Sequence, residues 1–214
     1  MTRTLAEQFD ALHAERERTW EPGKLARNVA QRRALVDAFD PTTVVRAGDR
    51  VEPFTLEWSS GGDVTLDELT PDGPVALIFF RFAGCPACNI ALPHYDRTLA
   101  PALRAAGIRT VAVSPHVPEE GLDDIRQRHA LSFGVASDRG NRLARRFGIA
   151  FTPLDSAPGG DVIGRVTRTG SDELPQPAVV LIDRNQIVQF VDVSPDWLRR
   201  TESERVLDAL LTVA

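Results

Sequence analysis

Cysteine is scarce in this chain: its 214 residues include only Cys85 and Cys88. Two cysteines three apart cannot form the disulfide framework of a small secreted domain, and in a reducing compartment such a pair points to redox or metal chemistry. Lysine is scarcer still, Lys24 standing alone, so nearly all the positive charge is arginine. The arginines are interspersed with acids, as on a solvated surface. The net charge of -5 and pI near 5.4 exclude a polyanion as main partner, because phosphate recognition relies on clustered positive charge. No nucleic acid partner is expected. Long apolar runs are missing too: the longest, Val75 to Phe80, falls far short of the ~20 residues that span a bilayer. The first twenty residues carry Arg3, Glu7, Asp10, Glu15, Arg16, Glu17 and Arg18 and no apolar leader, so no membrane association and a cytoplasmic location are expected.

What is present suffices for a core: 43% of residues are hydrophobic and 26% charged, a balance typical of folded domains. Leu5, Phe9, Leu12 and then Leu25, Val29, Leu35, Val36 and Phe39 recur at helical spacing on either side of Pro22-Gly23. Residues 1–45 are therefore read as a helical extension, packing on the domain or on a second subunit of a homodimer, and no chemistry is expected from it. Residues 46–214 are read as one domain.

This domain opens with a short hairpin turning at Ser59-Ser60-Gly61-Gly62. The run Val75 to Phe80 has the character of a strand buried on both faces. A helix from Pro86 to about Ala106, a strand from Ile108 to Val113, a helix from Pro118 to Ala130, a short strand at Gly134 to Ala136 and a helix from Asn141 to Phe147 follow. Such alternation predicts a largely parallel sheet. From Phe151 to Gln176 a long loop with one strand, Val162 to Thr167, is expected. Strands at Ala178 to Asp183 and Ile187 to Val193 and a helix from Asp196 to Val213 complete the chain.

Cys85-Pro86-Ala87-Cys88 falls where the buried strand turns into a helix. Pro86 suits the first helical turn, where its missing N–H costs nothing. Cys85 then sits at the helix N-terminus, whose unpaired N–H groups and dipole favour a thiolate, and Cys88 lies one turn on, within its reach. Ionisation is not sufficient for fast chemistry. Lowering a thiol pKa from about 8.5 to about 6 raises the thiolate fraction at pH 7 about 30-fold, but the Brønsted loss of nucleophilicity returns roughly 13-fold of that. Donors around the sulfur are therefore needed, and the sulfur must open to solvent. The alternatives are an incidental pair or half of a zinc site, but His13, His94, His116 and His129 supply no ligand pair at metal spacing. No metal and no cofactor are expected.

The segments Ala47-Gly48-Asp49 to Leu56, Leu77 to Arg81 with Cys85-Pro86-Ala87-Cys88-Asn89, Ala136-Ser137-Asp138, Ala144 to Gly148 and Pro177 to Asp183 resemble the alkyl hydroperoxide reductase and thiol-specific antioxidant family, the peroxiredoxin-like proteins. This resemblance implies a thioredoxin-like α/β fold, a central mixed sheet flanked by helices. It also implies an antioxidant thiol peroxidase: Cys85 reduces a peroxide or disulfide, Cys88 resolves the product as an internal disulfide, and a thioredoxin-like or low-molecular-weight thiol restores the pair. Pro93 lies where thioredoxins kink the active-site helix, and Pro177 at the place of their cis-proline. Gln176, just before it, is where their backbone pairs with substrate.

The chain departs from the family in carrying Phe82 where a Thr or Ser is usual and Pro177 near the place of a later arginine. Arg81, at the strand end, is the candidate to replace that arginine, and His116 the candidate to take the proton of Cys85. His94 is read as a helix-surface residue and Trp197 as core. A thioredoxin-like disulfide reductase without peroxidase activity, or a non-catalytic redox-sensing interaction protein, stand as alternatives.

Overall fold

The computed structural model describes residues 3–153 and 162–213. Two helices lead, α1 (Leu5–Thr19) and α2 (Pro22–Asp37). The first starts at a reciprocal cap: the Thr4 hydroxyl accepts from the Glu7 N–H while the Glu7 carboxylate accepts from the Thr4 N–H. The second starts at Pro22, with the Glu21 carboxylate accepting from the Gly23 and Lys24 N–H groups.

The domain then runs β1 (Thr55–Trp58), β2 (Asp63–Thr65), α3 (Leu66–Leu69), β3 (Val75–Phe79), α4 (Pro86–Thr98), α5 (Ala100–Ala105), β4 (Arg109–Ser114), α6 (Asp124–His129) and β5 (Gly134–Ser137). It continues with α7 (Arg142–Arg146), β6 (Ala150–Phe151), α8 (Val162–Thr167), β7 (Leu174–Pro175), β8 (Ala178–Ile182), β9 (Val188–Val193) and α9 (Ser203–Val213). Seven strands form one sheet in the order β2-β1-β5-β4-β3-β8-β9, while β6 and β7 pair separately.

Central β3 shows why this sheet forms here. Its residues are all buried, but they divide by the two-residue period of a strand. Ala76, Ile78 and then Phe80 join the core on one face; Val75, Leu77 and Phe79 join the core on the other. The first core contains both cysteines, Leu5 and Phe9 of α1, and Leu35 of α2. The second is closed by Phe147, whose ring meets Phe79 edge-on at 5.8 Å, and by Ile149 and Val188. Gly148 is required there: its φ is +70°, and a Cβ would lie 2.1 Å from the Thr43 carbonyl oxygen.

The sheet is mixed, as expected, but it is not largely parallel. Only β3–β4 and β4–β5 are parallel, and the other four pairs are antiparallel. This still brings the site together, because the carboxyl ends of β3 and β4 and the start of β8 share one edge: Phe79 is paired with Val113 and with Ala178.

Several expected elements are shorter than their patterns suggest. The helix from Pro86 breaks at Leu99, because Pro101 has no N–H to continue the ladder, and α5 follows. The helix from Pro118 is cut by Gly121 at φ +86° and resumes as α6. Val162 to Thr167 is a helix, not a strand: the Asp172 carboxylate accepts from the Ile163 and Gly164 N–H groups and caps its first turn, overriding the β-branched composition. Residues 154–161 of the expected loop lie outside the described residues. The last helix begins only at Ser203, and residues 196–202 form an irregular segment that crosses the cysteine face.

Candidate thiol site

Cys85 caps α4, with extended backbone angles (φ -69°, ψ 120°), and Pro86 occupies the first helical position. The strand-to-helix turn is held from three sides. The Cys85 N–H donates to the Phe82 carbonyl at 3.1 Å. The Asn89 side-chain amide donates to the Ala83 and Cys85 carbonyls at 2.8 and 2.9 Å, and its oxygen accepts from Arg128 and His129. From β4, the Ser114 hydroxyl donates to the Arg81 carbonyl at 3.0 Å.

Both cysteines are free thiols, within hydrogen-bonding reach of each other. Burial pushes the Cys85 thiol up, but a hydrogen bond from the Cys88 thiol, the positive charges of Arg81 and Arg200, and the Cys88 N–H outweigh it, lowering it to about 5. Cys88 moves the other way: burial raises it well above the ordinary thiol range, and donating to an anionic Cys85 raises it further. The two shifts run in opposite directions and favour one thiolate and one thiol in the pair. The Arg200 guanidinium also donates to the Cys88 sulfur at 3.7 Å.

The expectation that the first sulfur opens to solvent is not met. Cys85 is 1% exposed and Cys88 0%, although their neighbours Gly84 and Pro86 lie at the surface. Phe82 packs over this core from one side and α1 from another. In this arrangement neither sulfur is open to a substrate. The cover on the α1 side is polar at its seams: Glu202 accepts from the Leu5 and Ala6 N–H groups at 3.0 and 2.8 Å, and Gln8 donates to His94 Nδ1 at 3.0 Å. His94 is consequently buried beneath the extension and is not a surface residue of α4.

Arg81 is where the sequence places it, at the end of β3, 9% exposed and facing the Trp197 ring at 4.6 Å and the Phe82 ring at 5.7 Å. His116 is on the same edge but does not face the thiols with a free nitrogen. Its Nδ1 accepts from the Ala83 N–H at 3.3 Å and its Nε2 donates to the Glu120 carbonyl at 2.9 Å, so both ring nitrogens are committed to backbone. Burial also lowers its pKa, keeping it neutral. Its place is to hold the loop leading to Cys85, not to take the proton. Pro177 immediately precedes β8 at the cysteine edge, but no peptide bond among the described residues is cis, so the thioredoxin-like isomer is absent. Gln176 is buried beside it, and its N–H already donates to the Ile149 carbonyl at 2.7 Å, leaving no N–H to pair with a substrate strand.

Arg200 and Arg16 are site residues that the sequence did not single out, and Trp197, expected in the core and found there, is a third with a place beside the thiols. Arg200 and Trp197 come from the irregular segment before α9, where an expected helix disguised them. Arg16 comes from α1, where no local pattern connects it with chemistry. It is buried over the Trp197 ring at 5.6 Å, and the Cys85 charge opposes the loss of its proton. The extension is thus part of this site. Among the described residues no three His, Cys, Asp or Glu side chains gather as metal ligands would.

A cysteine pair at the start of a helix that follows the central strand of a mixed sheet defines a thioredoxin-fold protein with a dithiol centre. The AhpC/TSA family model matches residues 47–191, and the chain belongs to that family. Peroxidoxin BcpB from Mycobacterium tuberculosis superimposes with a TM-score of 0.62 at 21% identity, covering 79% of this chain and 99% of that one. A peroxiredoxin-like protein from Aquifex aeolicus gives 0.60 at 16%, over 80% and 89% of the two chains. In sequence, the thiol-disulfide oxidoreductase ResA of Halalkalibacterium halodurans is 30% identical over 117 residues, 54% of this chain and 64% of that protein. The match thus spans just under two thirds of that relative's length. No described helix is long and apolar enough to cross a membrane.

Proposed function

We propose that the protein is a thiol-dependent antioxidant oxidoreductase in which Cys85 attacks the O–O bond of a peroxide and Cys88 resolves the product as an internal disulfide. The reading is carried by the split between two adjacent thiols: Cys85 lowered to about 5 and Cys88 raised well above the thiol range. A sulfur ionised at neutral pH is the nucleophile, and a protonated neighbour within reach is the resolving group that brings its own proton.

A pKa of about 5 does not accelerate attack by itself, since the gain in thiolate at pH 7, roughly 30-fold over a free cysteine, is offset by a comparable Brønsted loss. Its benefit is at the other end of the cycle: Cys85 is a good leaving group, so the Cys85–Cys88 disulfide yields readily to a thioredoxin-like protein or a small thiol. A reducing compartment, the cytoplasm, suits that regeneration. Arg81, held beside the sulfur, is assigned the polarising role that Phe82 and Pro177 leave open. Residues 1–45 are then an extension on a thioredoxin-like domain of residues 46–214. No homodimer is needed to seat it, since α1 packs on α4 of its own chain.

Stopped-flow mixing of the reduced protein with hydrogen peroxide tests the reading. Two thiols should be lost per chain, at least about 100-fold faster than free cysteine, with no reaction in Cys85→Ser and arrest at a sulfenic acid in Cys88→Ser. A rate equal to that of free cysteine removes the peroxidase. A second reading, a disulfide reductase, is favoured by the bulk of Phe82 where a hydroxyl would assist a peroxide. It requires that the reduced protein cleave insulin disulfides through Cys85.

A further inference from the structure

Next to Cys85 lies an arrangement of which the two-thiol chemistry uses only Arg81. Three arginines from three parts of the chain converge on the Trp197 indole: Arg16 of α1 at 5.6 Å, Arg32 of α2 at 5.8 Å and Arg81 after β3 at 4.6 Å, making a cluster of four side chains with Trp197 itself. All are more than nine-tenths buried, with exposures of 5, 8, 9 and 4% respectively. Each has a buried donor without a hydrogen-bond acceptor: Arg16 Nη1, Arg32 Nε, Arg81 Nε and Trp197 Nε1. Unsatisfied buried donors are rare in folded proteins, and an unpaired buried charge is costlier still.

The charges do not balance either. Arg32 has the Asp196 carboxylate at 3.1 Å. Among the described residues Arg16 and Arg81 have no carboxylate partner, and Arg200 donates only to the Trp197 and Arg199 carbonyls and to the Cys88 sulfur. Burial already weakens the hold of Arg16 on its proton, with Cys85 acting against that and Arg32 and Arg81 acting with it; the exposed Glu15 also opposes it. Against three guanidiniums stands a single thiolate.

We propose that Arg16 and Arg81, with the Trp197 Nε1–H, form a seat for a carboxylate carried by the molecule that Cys85 attacks, so that the preferred oxidant is an anionic disulfide or hydroperoxide. This rests on the reading that Cys85 is the nucleophile, and it names the substrate class. Guanidinium presents a planar fork that matches a carboxylate in two hydrogen bonds, and an indole N–H supplies a third donor. The carboxylate supplies the acceptors that the buried donors lack and offsets one of the excess charges.

For a disulfide R–S–S–R the steps balance as follows. The Cys85 thiolate attacks one sulfur and R–S⁻ leaves; the Cys88 thiol attacks Cys85, and the second R–S departs with the proton of Cys88 as R–SH. The substrate is reduced and the thiol pair oxidised to one disulfide. For R–O–O–H the first step leaves a sulfenic acid on Cys85 and R–O⁻, which solvent protonates, and the second releases water.

Three disulfides of similar size test this on the full chain: dithiodipropionate, which is dianionic, neutral hydroxyethyl disulfide, and cationic cystamine. The net charge of -5 acting alone favours cystamine, so the whole-protein field and the local seat predict opposite orders. The seat predicts that dithiodipropionate oxidises the pair at least about ten-fold faster than the neutral compound and cystamine slowest, within the range that charge-lined sites give. Arg16→Met, which keeps the apolar stem, should reduce that preference about ten-fold while Arg16→Lys retains part of it. If Arg16→Met does not fold, Arg16→Gln and added salt provide the same comparison, because screening should compress the spread of the three rates. A second arm sets a carboxylated hydroperoxide against tert-butyl hydroperoxide, and whichever arm shows the larger anion preference identifies the oxidant. Equal rates across the series, or a preference that survives in Arg16→Met and Arg16→Gln, overturn the seat. No reaction with any of the disulfides or peroxides would instead remove the reading on which it rests.

Discussion

The two faces of the central sheet are built from the same strands and closed by different chemistry. One face, bearing Val75, Leu77 and Phe79, is sealed by hydrocarbon, with Phe147, Ile149 and Val188 against it. The other, bearing Ala76, Ile78 and Phe80, is sealed by α1, α2 and the segment before α9, and these bring Arg16, Arg32 and Arg200 in with the apolar side chains to join Arg81 after β3. An apolar cover of the same shape would be more stable, since buried guanidiniums without carboxylates oppose folding. The difference places stability on one face and reactivity on the other. Changes on the first should act on folding and leave the thiols alone, and changes on the second should do the reverse.

The largest expected effect is at Cys85. Cys85→Ser should reduce turnover to background, and Cys88→Ser should permit one event per chain and then stop, as mass spectrometry of the trapped product would show. Next comes the apolar face: Phe79→Ala removes the edge-on ring contact and should cost about 3–5 kcal/mol in denaturant unfolding while leaving the alkylation midpoint of Cys85 unchanged. A shift in that midpoint would end the separation between the faces. Arg81→Met should do the opposite, raising the midpoint and slowing oxidation about ten-fold, with little loss of stability because an unpaired buried charge is also removed. His116→Ala should be milder. It frees the Ala83 N–H and should cost about 1–3 kcal/mol, and a normal pH profile at Cys85 would confirm that the ring positions the loop and takes no proton.

The same ionisation makes stability depend on pH. Cys85 is held below its unfolded value, so its thiolate stabilises the reduced fold fully above the unfolded pKa, near 9.0, and this contribution is lost as pH falls through about 5. Thermal melts of the reduced protein, referenced to Cys85→Ser, should therefore rise between pH 5 and 8. A flat difference would mean that the sulfur is protonated in the folded state.

Much of this was legible in the sequence where local pattern and tertiary role agree. The run Val75 to Phe80, bounded by Pro74 and Arg81, reads as a central strand because a strand buried on both faces has few other compositions. Cys85-Pro86 reads as a helix start because proline suits a helix's first turn best. What failed was context. Val162 to Thr167 looks like a strand until Asp172, beyond its end, caps it as a helix. The expected parallel majority fails because β8 enters antiparallel to β3 and β1 antiparallel to β5, which strand and helix alternation does not encode. Arg16 is one of six charged residues in an ordinary amphipathic helix, and nothing local separates it from Arg18. Its burial depends on where α1 lands, just as the closure over Cys85 does.

The central claim is an ionised Cys85 held by Cys88 and the arginines around it, and ultraviolet titration of thiolate absorbance in the reduced protein measures it directly. The account predicts one thiolate appearing with a midpoint near pH 5 and absent in Cys85→Ser, with no second thiolate until strongly alkaline pH. Two thiols titrating together near the ordinary cysteine value of about 8.5 would contradict it.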